Sequence, residues 1–477
     1  MKKVLILILL FSTIVLQASW QIDQEIKKSE SVGFGRSVDV FDQFLAVGAP
    51  WNEDGTVYIY RKDVNSKKWS FLQKIERPVV RVNEDAVWYF DSFGTDVALS
   101  GMPSSDQSNS TAQVSKVTLV AGAPLAEYHF SINGQNFIFK RDALLVYDFN
   151  VTTQKFELQT PIIEEDESGA GSAVDVAMVY KKTEIDDHVR FDAIGRIVVT
   201  GMYNKDMIKV YIEEFDDNNW KDINFTSNIT NIRLGESVAI GNLVVNSDES
   251  NKPSYSFVVA GAPDCNETID GTEYQGRGEA VALSLIRDKN GGYTFGSGRE
   301  FYLPTPQLSD INEWSRFGSS IALDSTGRWM IVGSWGGTSL LSKEGEAYVF
   351  HFNDTDNQWK RVGNAIKILN VNDIYDGVHV DAVAIENNIA IIGMPELRHS
   401  ENPCSMAGAV KIFEYGGNNW HLIGGYNGQE DSNEQIGISV AVRNRNEIVT
   451  GSGSAQKVVD IKRNNSFLPA VISYLLD

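Results

Sequence analysis

The chain has 477 residues, 42% of them hydrophobic and 10% aromatic, with a formal net charge of -21. Such a composition excludes a disordered or collagen-like chain, and the acidic balance argues against nucleic acid or an anionic membrane as partner, since both need clustered Lys and Arg. This length ordinarily means about two to four domains, unless internal repetition overrides it.

The first element, MKKVLILILLFSTIVLQAS, has a basic start at Lys2 and Lys3, an apolar run from Val4 to Leu16 and the small residues Ala18 and Ser19. Residues 1–19 therefore read as a secretory signal peptide, the run being shorter than the ~20 residues of a membrane anchor. The mature chain is expected to have no spanning segment and to be secreted or held at the cell surface. Export gives meaning to the Asn-x-Ser/Thr triplets at Asn109, Asn150, Asn224, Asn228, Asn266, Asn353 and Asn464, all in polar, turn-like stretches suited to a glycan. Two cysteines, Cys265 and Cys404, suggest one bridge in an oxidising compartment; two buried thiols are the alternative.

From Phe34 onward one pattern recurs. FGRSVDV is followed by FLAVGAP, GTVYIYRKD and, after a turn, WSFLQKI. Later copies begin FGTDVAL (Phe93), AGSAVDV (Ala170), LGESVAI (Leu234), FGSSIAL (Phe317), DGVHVDAVAI (Asp376) and IGISVAV (Ile436). Apolar alternation and Val, Ile, Tyr and Phe enrichment make each piece a strand. The pattern predicts seven units of about sixty to eighty residues, each a four-stranded antiparallel blade of an all-β, seven-bladed β-propeller. Residues 20–463 would form the propeller and 464–477 a tail or extra outer strand. The insertions PSSDQSNSTAQVSK (Pro103), YHFSINGQNFIFKR (Tyr128), DCNETIDGTEYQGR (Asp264) and ELRHSENPC (Glu396) read as long loops.

The seventh unit stops at its third strand. The segment WQIDQEI (Trp20 to Ile26) has the register of WSFLQKI and no preceding strands of its own. It is expected to pair as the outer strand of the last blade and close the ring, removing an exposed edge. NSFLPAV (Asn465 to Val471) is the rival closing strand, tolerable at an edge despite Pro469.

The Phe-Gly and Gly-Ala-Pro pairs resemble the FG-GAP repeat of integrin α-subunit headpieces. The Gly-x-Val-Tyr-x-Tyr strand and the following Trp strand make the chain most similar to secreted FG-GAP propellers of microbes and protists. The resemblance covers essentially the whole mature chain and implies the fold far more than a function. One feature departs from it. Integrin blades carry Asp-x-Asp-x-Asp-Gly calcium loops between their first and second strands, whereas the hairpins here read VFDQF (Val40), LDSTGR (Leu323), IENNI (Ile385) and VRNRNEI (Val442). None offers alternating carboxylates, so no calcium or other cofactor is expected, nor is the integrin's partner subunit carried over.

No catalytic motif stands out. His129, His188, His351, His379, His399 and His421 include no i, i+4 zinc pair, and GAGSA (Gly169) and GSGSAQ (Gly451) fall at turn positions of the repeat. Binding is the expected function, with an extracellular protein or glycan as partner, through loops that vary while the strands stay regular. Three loops after the Gly-Ala-Pro position begin with an aromatic, Trp51, Tyr203 and Trp335, which would stack on sugars or anchor a protein. The simpler reading, which the sequence favours, is that they cover the ends of the blades. A hydrolase with carboxylates converging on the central channel, and a structural coat protein, are the alternatives.

Overall fold

A computed structural model describes residues 19–464, apart from 103–115, 160, 186–187, 217–218, 247–253, 270–271, 297–298, 303–314, 336–344, 369–378, 398–404, 430–431 and 445. The expected signal peptide up to residue 18, Asn109, His399, Cys404 and the rival closing strand thus lie outside the described residues, whereas Ser19 already belongs to a strand. Strands make up nearly all of the named structure, with a 3-10 turn at Tyr203–Lys205. No described helix is long and apolar enough to cross a membrane.

The chain is a β-propeller. Each unit runs outward from an inner strand, as in the first sheet: Ser37–Phe41, Phe44–Ala49, Thr56–Lys62, Trp69–Glu76. The inner strands of the following units are Val97–Gly101, Val174–Ile185, Ser237–Ile240, Ser320–Leu323, Ala382–Glu386 and Ile436–Asn444. Each contacts the next, and Ile436–Asn444 contacts Ser37–Phe41, so the array closes on itself. The outer place in the last sheet is taken by Ser19–Lys27, antiparallel to Lys457–Asn464.

The repeated glycines are explained by the seams between sheets. Gly48, in the first Gly-Ala-Pro, faces the carbonyl of Gly94 in the next Phe-Gly so closely that a Cβ would collide with it. Gly94 has φ 85°, a conformation other residues avoid. Gly451 and Gly35 repeat this approach between the last unit and the first. Ser439 Oγ also donates to Gly35 O at 2.8 Å across that junction.

The third strand enters differently before the units that begin at Ala170 and Leu234. Gly55 and Gly408 make parallel bridges to Phe93 and Ile436. At the corresponding points Asp142 and Asp206 stand instead of Gly. Asp142 Oδ2 accepts from the backbone N–H of Ser168 and Gly169, both at 2.6 Å, and Asp206 accepts from Asn231, Ile232 and Leu234. A carboxylate thus holds the entries to the degenerate units at Ala170 and Leu234.

Two sheets add strands to the expected four, and in those of Glu279–Arg287 and Gly345–Asn353 the outer strand is split into two short pieces. In the third, Leu243–Asn246 adds a strand parallel to Val174–Ile185. In the second, Tyr128 to Arg141 is no loop: Val117–Ile132 and Gln135–Asn150 pair as one long hairpin turning at Asn133 and Gly134, both at positive φ (54° and 76°). An Asn-Gly turn between alternating apolar residues is a strong hairpin signal. Ala86–Asp91 and Val79–Asn83 extend this sheet further. Part of the Asp264 insertion is likewise a ribbon, Glu267–Ile269 with Thr272–Tyr274.

Candidate functional site

The inner strands line a central cavity of ≈ 260 Å³, with Val38 to Phe41, Val97 to Ser100, Val174 to Val176 and their counterparts in its wall. An inner strand has no partner on its channel side, so some of its N–H groups need other acceptors. Aspartates supply them. Asp39 Oδ1 accepts from Val40 N at 2.7 Å and Oδ2 from Leu99 N of the next sheet at 2.6 Å. Asp96 does the same for Val97 (3.0 Å) and Val174 (2.9 Å), and Asp175 for Val176 and Ile240, both at 2.8 Å. These carboxyls are half-buried among protein atoms. Burial pushes Asp39 up to about 6, Asp96 to about 7 and Asp175 to about 8, against the opposing pull of the N–H donors.

The Gly-Ala-Pro turns and the starts of the inner strands share one face. There the three expected aromatics follow a common plan. Trp51 lies with the Arg36 guanidinium 5.9 Å from its ring, Tyr203 with Arg233 at 5.0 Å, and Trp335 with Arg316 at 4.3 Å. Trp51 and Tyr203 also pack on Gly33 and Gly169, where a Cβ would come within 2.8 and 2.7 Å of the rings. Trp51 is 57% exposed, whereas Tyr203 and Trp335 are half-buried. Each aromatic sits within its own unit, and the fold does not bring the three into one patch.

Around Trp335 a denser group forms. Its ring stacks on His379 at 4.3 Å and 10°. His379 Nδ1 is 2.8 Å from Glu396 Oε2, and ligand atoms of His379, Asp381 and Glu396 all lie within 4.8 Å of one another. Arg316 reaches Glu236 at 3.1 Å and Asp264 at 3.4 Å. Burial pushes Asp381 up to about 6, reinforced by Glu396 and opposed by His379, Arg36 and the Trp335 indole. Sequence reasoning counted His379 among scattered histidines. The signal was His-x-Asp before an inner strand with Glu just past the Gly-Met-Pro of its hairpin partner, but joining them requires the strand register.

Of the sequons, Asn224, Asn228 and Asn266 are exposed, and Asn150 and Asn353 are half-buried. Asn464 ends the strand Lys457–Asn464. Asn150 Oδ1 accepts from Thr152 N at 2.8 Å, and Asn353 Oδ1 from Thr355 N at 2.9 Å, each organising its own turn. Cys265 is buried, its thiol 3.4 Å from Glu279 Oε2.

No family model matches the sequence. No curated protein matches it either. Among solved structures the chain is similar to Sqt1 of Saccharomyces cerevisiae, at 10% identity over 94% of this chain and 100% of that one, with a TM-score of 0.43.

Proposed function

We propose that this chain is a seven-bladed propeller of the FG-GAP kind, exported and glycosylated, that serves as a binding scaffold for an extracellular protein or glycan. Each of the larger sheets would be one blade. The observation that carries the reading is Trp51: a large ring, 57% exposed, under Arg36 and on the face that gathers the Gly-Ala-Pro turns. A half-exposed Trp beside a guanidinium is a typical anchor for a partner. No motif in the chain points to catalysis.

The test is an array of extracellular proteins and glycans probed with the mature chain and with Trp51→Ala. A ligand whose binding falls at least tenfold in the variant supports the reading. A ligand bound equally by both moves the site off this face, and binding to nothing favours a coat protein.

The hydrolase reading draws on Asp39 and Asp175, carboxyls with raised pKa in the cavity wall, and on Asp96 next to it. Their oxygens are committed to backbone N–H groups, which favours a structural role. Turnover of glycoside substrates abolished by Asp175→Asn would revive it.

A further inference from the structure

His379, Asp381 and Glu396 hold a combination of donors found nowhere else among the described residues: an imidazole and two carboxylates with ligand atoms within 4.8 Å. Two parts of the chain bring them together. His379 and Asp381 are two residues apart on the extended entry to Ala382–Glu386, so they share a face. Glu396 follows the partner strand Ile389–Met394, and the pairing of Ala382 with Gly393 sets the two ends side by side.

The surroundings fix the donors. Trp335 stacks on the His379 ring and sets its plane. The nearby guanidinium, Arg316, is engaged by Glu236 and Asp264. With the imidazole neutral, as metal ligation requires, the two carboxylates carry two negative charges, the complement of a divalent cation. Imidazole with carboxylates suits zinc and its first-row neighbours, whereas calcium wants about six to eight oxygens.

We propose that His379, Asp381 and Glu396 form a binding site for one divalent ion of the zinc class. The ion would enter between His379 Nδ1 and Glu396 Oε2, now 2.8 Å apart. Zinc bonds of ~2.0 Å place tetrahedral ligands roughly 3.3 Å apart, so modest side-chain rotation suffices. Three protein ligands leave the fourth position to water or to a carboxylate of a bound partner. The site goes beyond the scaffold reading and stands whether or not that reading does.

The experiment is titration of Zn2+ and Co2+ into the chelator-stripped, tag-free mature chain, followed by calorimetry and by visible absorption of the Co2+ form. One ion per chain is expected, with the intense visible bands of four-coordinate Co2+. Glu396→Gln and His379→Ala should each weaken binding at least tenfold, while Glu53→Gln, at an exposed glutamate elsewhere, should not. Glu396→Gln is isosteric at an accessible position, and equal melting of the stripped forms verifies its fold. Uptake unchanged in Glu396→Gln, or no stoichiometric uptake, overturns the site. Displacement of Zn2+ by millimolar Ca2+ overturns the zinc-class assignment.

Discussion

Two seams of the propeller use the same four places in opposite ways. Between the first and second sheets, Phe44, Ile59, Phe149 and Phe156 meet as a dry cluster, with Phe44 4.7 Å from Phe149 and 5.3 Å from Phe156 between ring centres. Between the last sheet and the first, the corresponding residues are Glu447, Asp460, Lys62 and Trp69. Lys62 pairs with Glu447 and lies 3.3 Å from Asp460, the Trp69 indole donates to Asp460 at 3.0 Å, and the Lys62 ammonium sits 4.3 Å from the Trp69 ring centre. All four are buried. Aromatic trios recur in Phe257, Phe352 and Trp359 and in Trp329, Tyr415 and Trp420. A polar version sits at the junction that joins the two ends of the chain, and a second one lies between the second and third sheets, where buried Arg196 pairs with Glu213 and Asp148. Apolar packing tolerates many partners, whereas a buried charge set is costly unless every member is in place. The closing seam is therefore expected to give up stability relative to an apolar one, which the variants below test.

Outer strands, by contrast, treat the two seams alike. Gln73 bonds the backbone of Phe156 in both directions, at 3.0 and 2.8 Å. Gln24, in the N-terminal strand, does the same to Trp69 at 2.9 and 2.8 Å. The N-terminal strand therefore carries not only the place but the contact of a regular fourth strand.

The sharpest way to break the comparison is to delete residues 20–26 of the mature chain. The last sheet would lose its outer strand, and folded yield on secretion should collapse; normal yield with unchanged melting would disprove the role of that strand. Next, Lys62→Ala leaves two buried carboxylates without their cation and should cost roughly 3–5 kcal/mol in urea unfolding. Replacing Lys62, Glu447 and Asp460 together by Met, Leu and Leu should be neutral or stabilising. If the triple variant unfolds as easily as Lys62→Ala, the closing seam gives up no stability relative to an apolar one. Phe149→Ala should cost about 3–5 kcal/mol through a cavity, and no added apolar partner around it would imitate the triple rescue.

Gln24→Ala and Gln73→Ala should each cost about 1–3 kcal/mol, by nearly equal amounts, because each leaves one buried N–H and one C=O without a partner. Unequal losses would mean that the closing strand is held differently from its counterpart.

A smaller effect concerns pH. The seams after the first three units are stitched by Asp39, Asp96 and Asp175, whereas the last unit has Ala441 where the first has Asp39. Each aspartate keeps its proton to a higher pH folded than unfolded, so the folded chain binds more protons between about pH 4 and pH 8. Their stabilisation is full below about pH 4 and is lost as pH rises through about 6, 7 and 8. The slope is at most roughly 1.4 kcal/mol per pH unit for each group, less where channel water screens it. Urea midpoints measured across this range should fall with pH, and less steeply in Asp175→Asn; an unchanged slope in that variant would remove Asp175 from the account.

Much of the fold was legible in the sequence because close approach of backbones leaves glycine no substitute. Gly48 against Gly94 and Gly451 against Gly35 had to recur, and they carried the repeat with them. The N-terminal strand was legible because Trp20 and Gln24 copy the spacing of Trp69 and Gln73. The Tyr128 hairpin was missed although Asn133-Gly134 between alternating apolar residues announced it; it breaks the repeat, and so passed for a loop. Trp51, Tyr203 and Trp335 were legible as a class, but their pairing with Arg36, Arg233 and Arg316 was not, since Arg36 and Arg316 come from the entry to the aromatic's own unit and Arg233 from the entry to the unit after that of Tyr203.

The amino-acid sequence by itself determined a repeated four-strand unit, the glycines at its seams and the strand that completes the last sheet, because these are local demands of backbone geometry. Only the tertiary structure decided which side chains meet. Lys62 and Asp460 lie 398 positions apart, and His379 reaches Glu396 through a strand register. Such pairs leave no periodic trace in the chain, because the distance that matters to an ion pair or a metal ligand is measured through space.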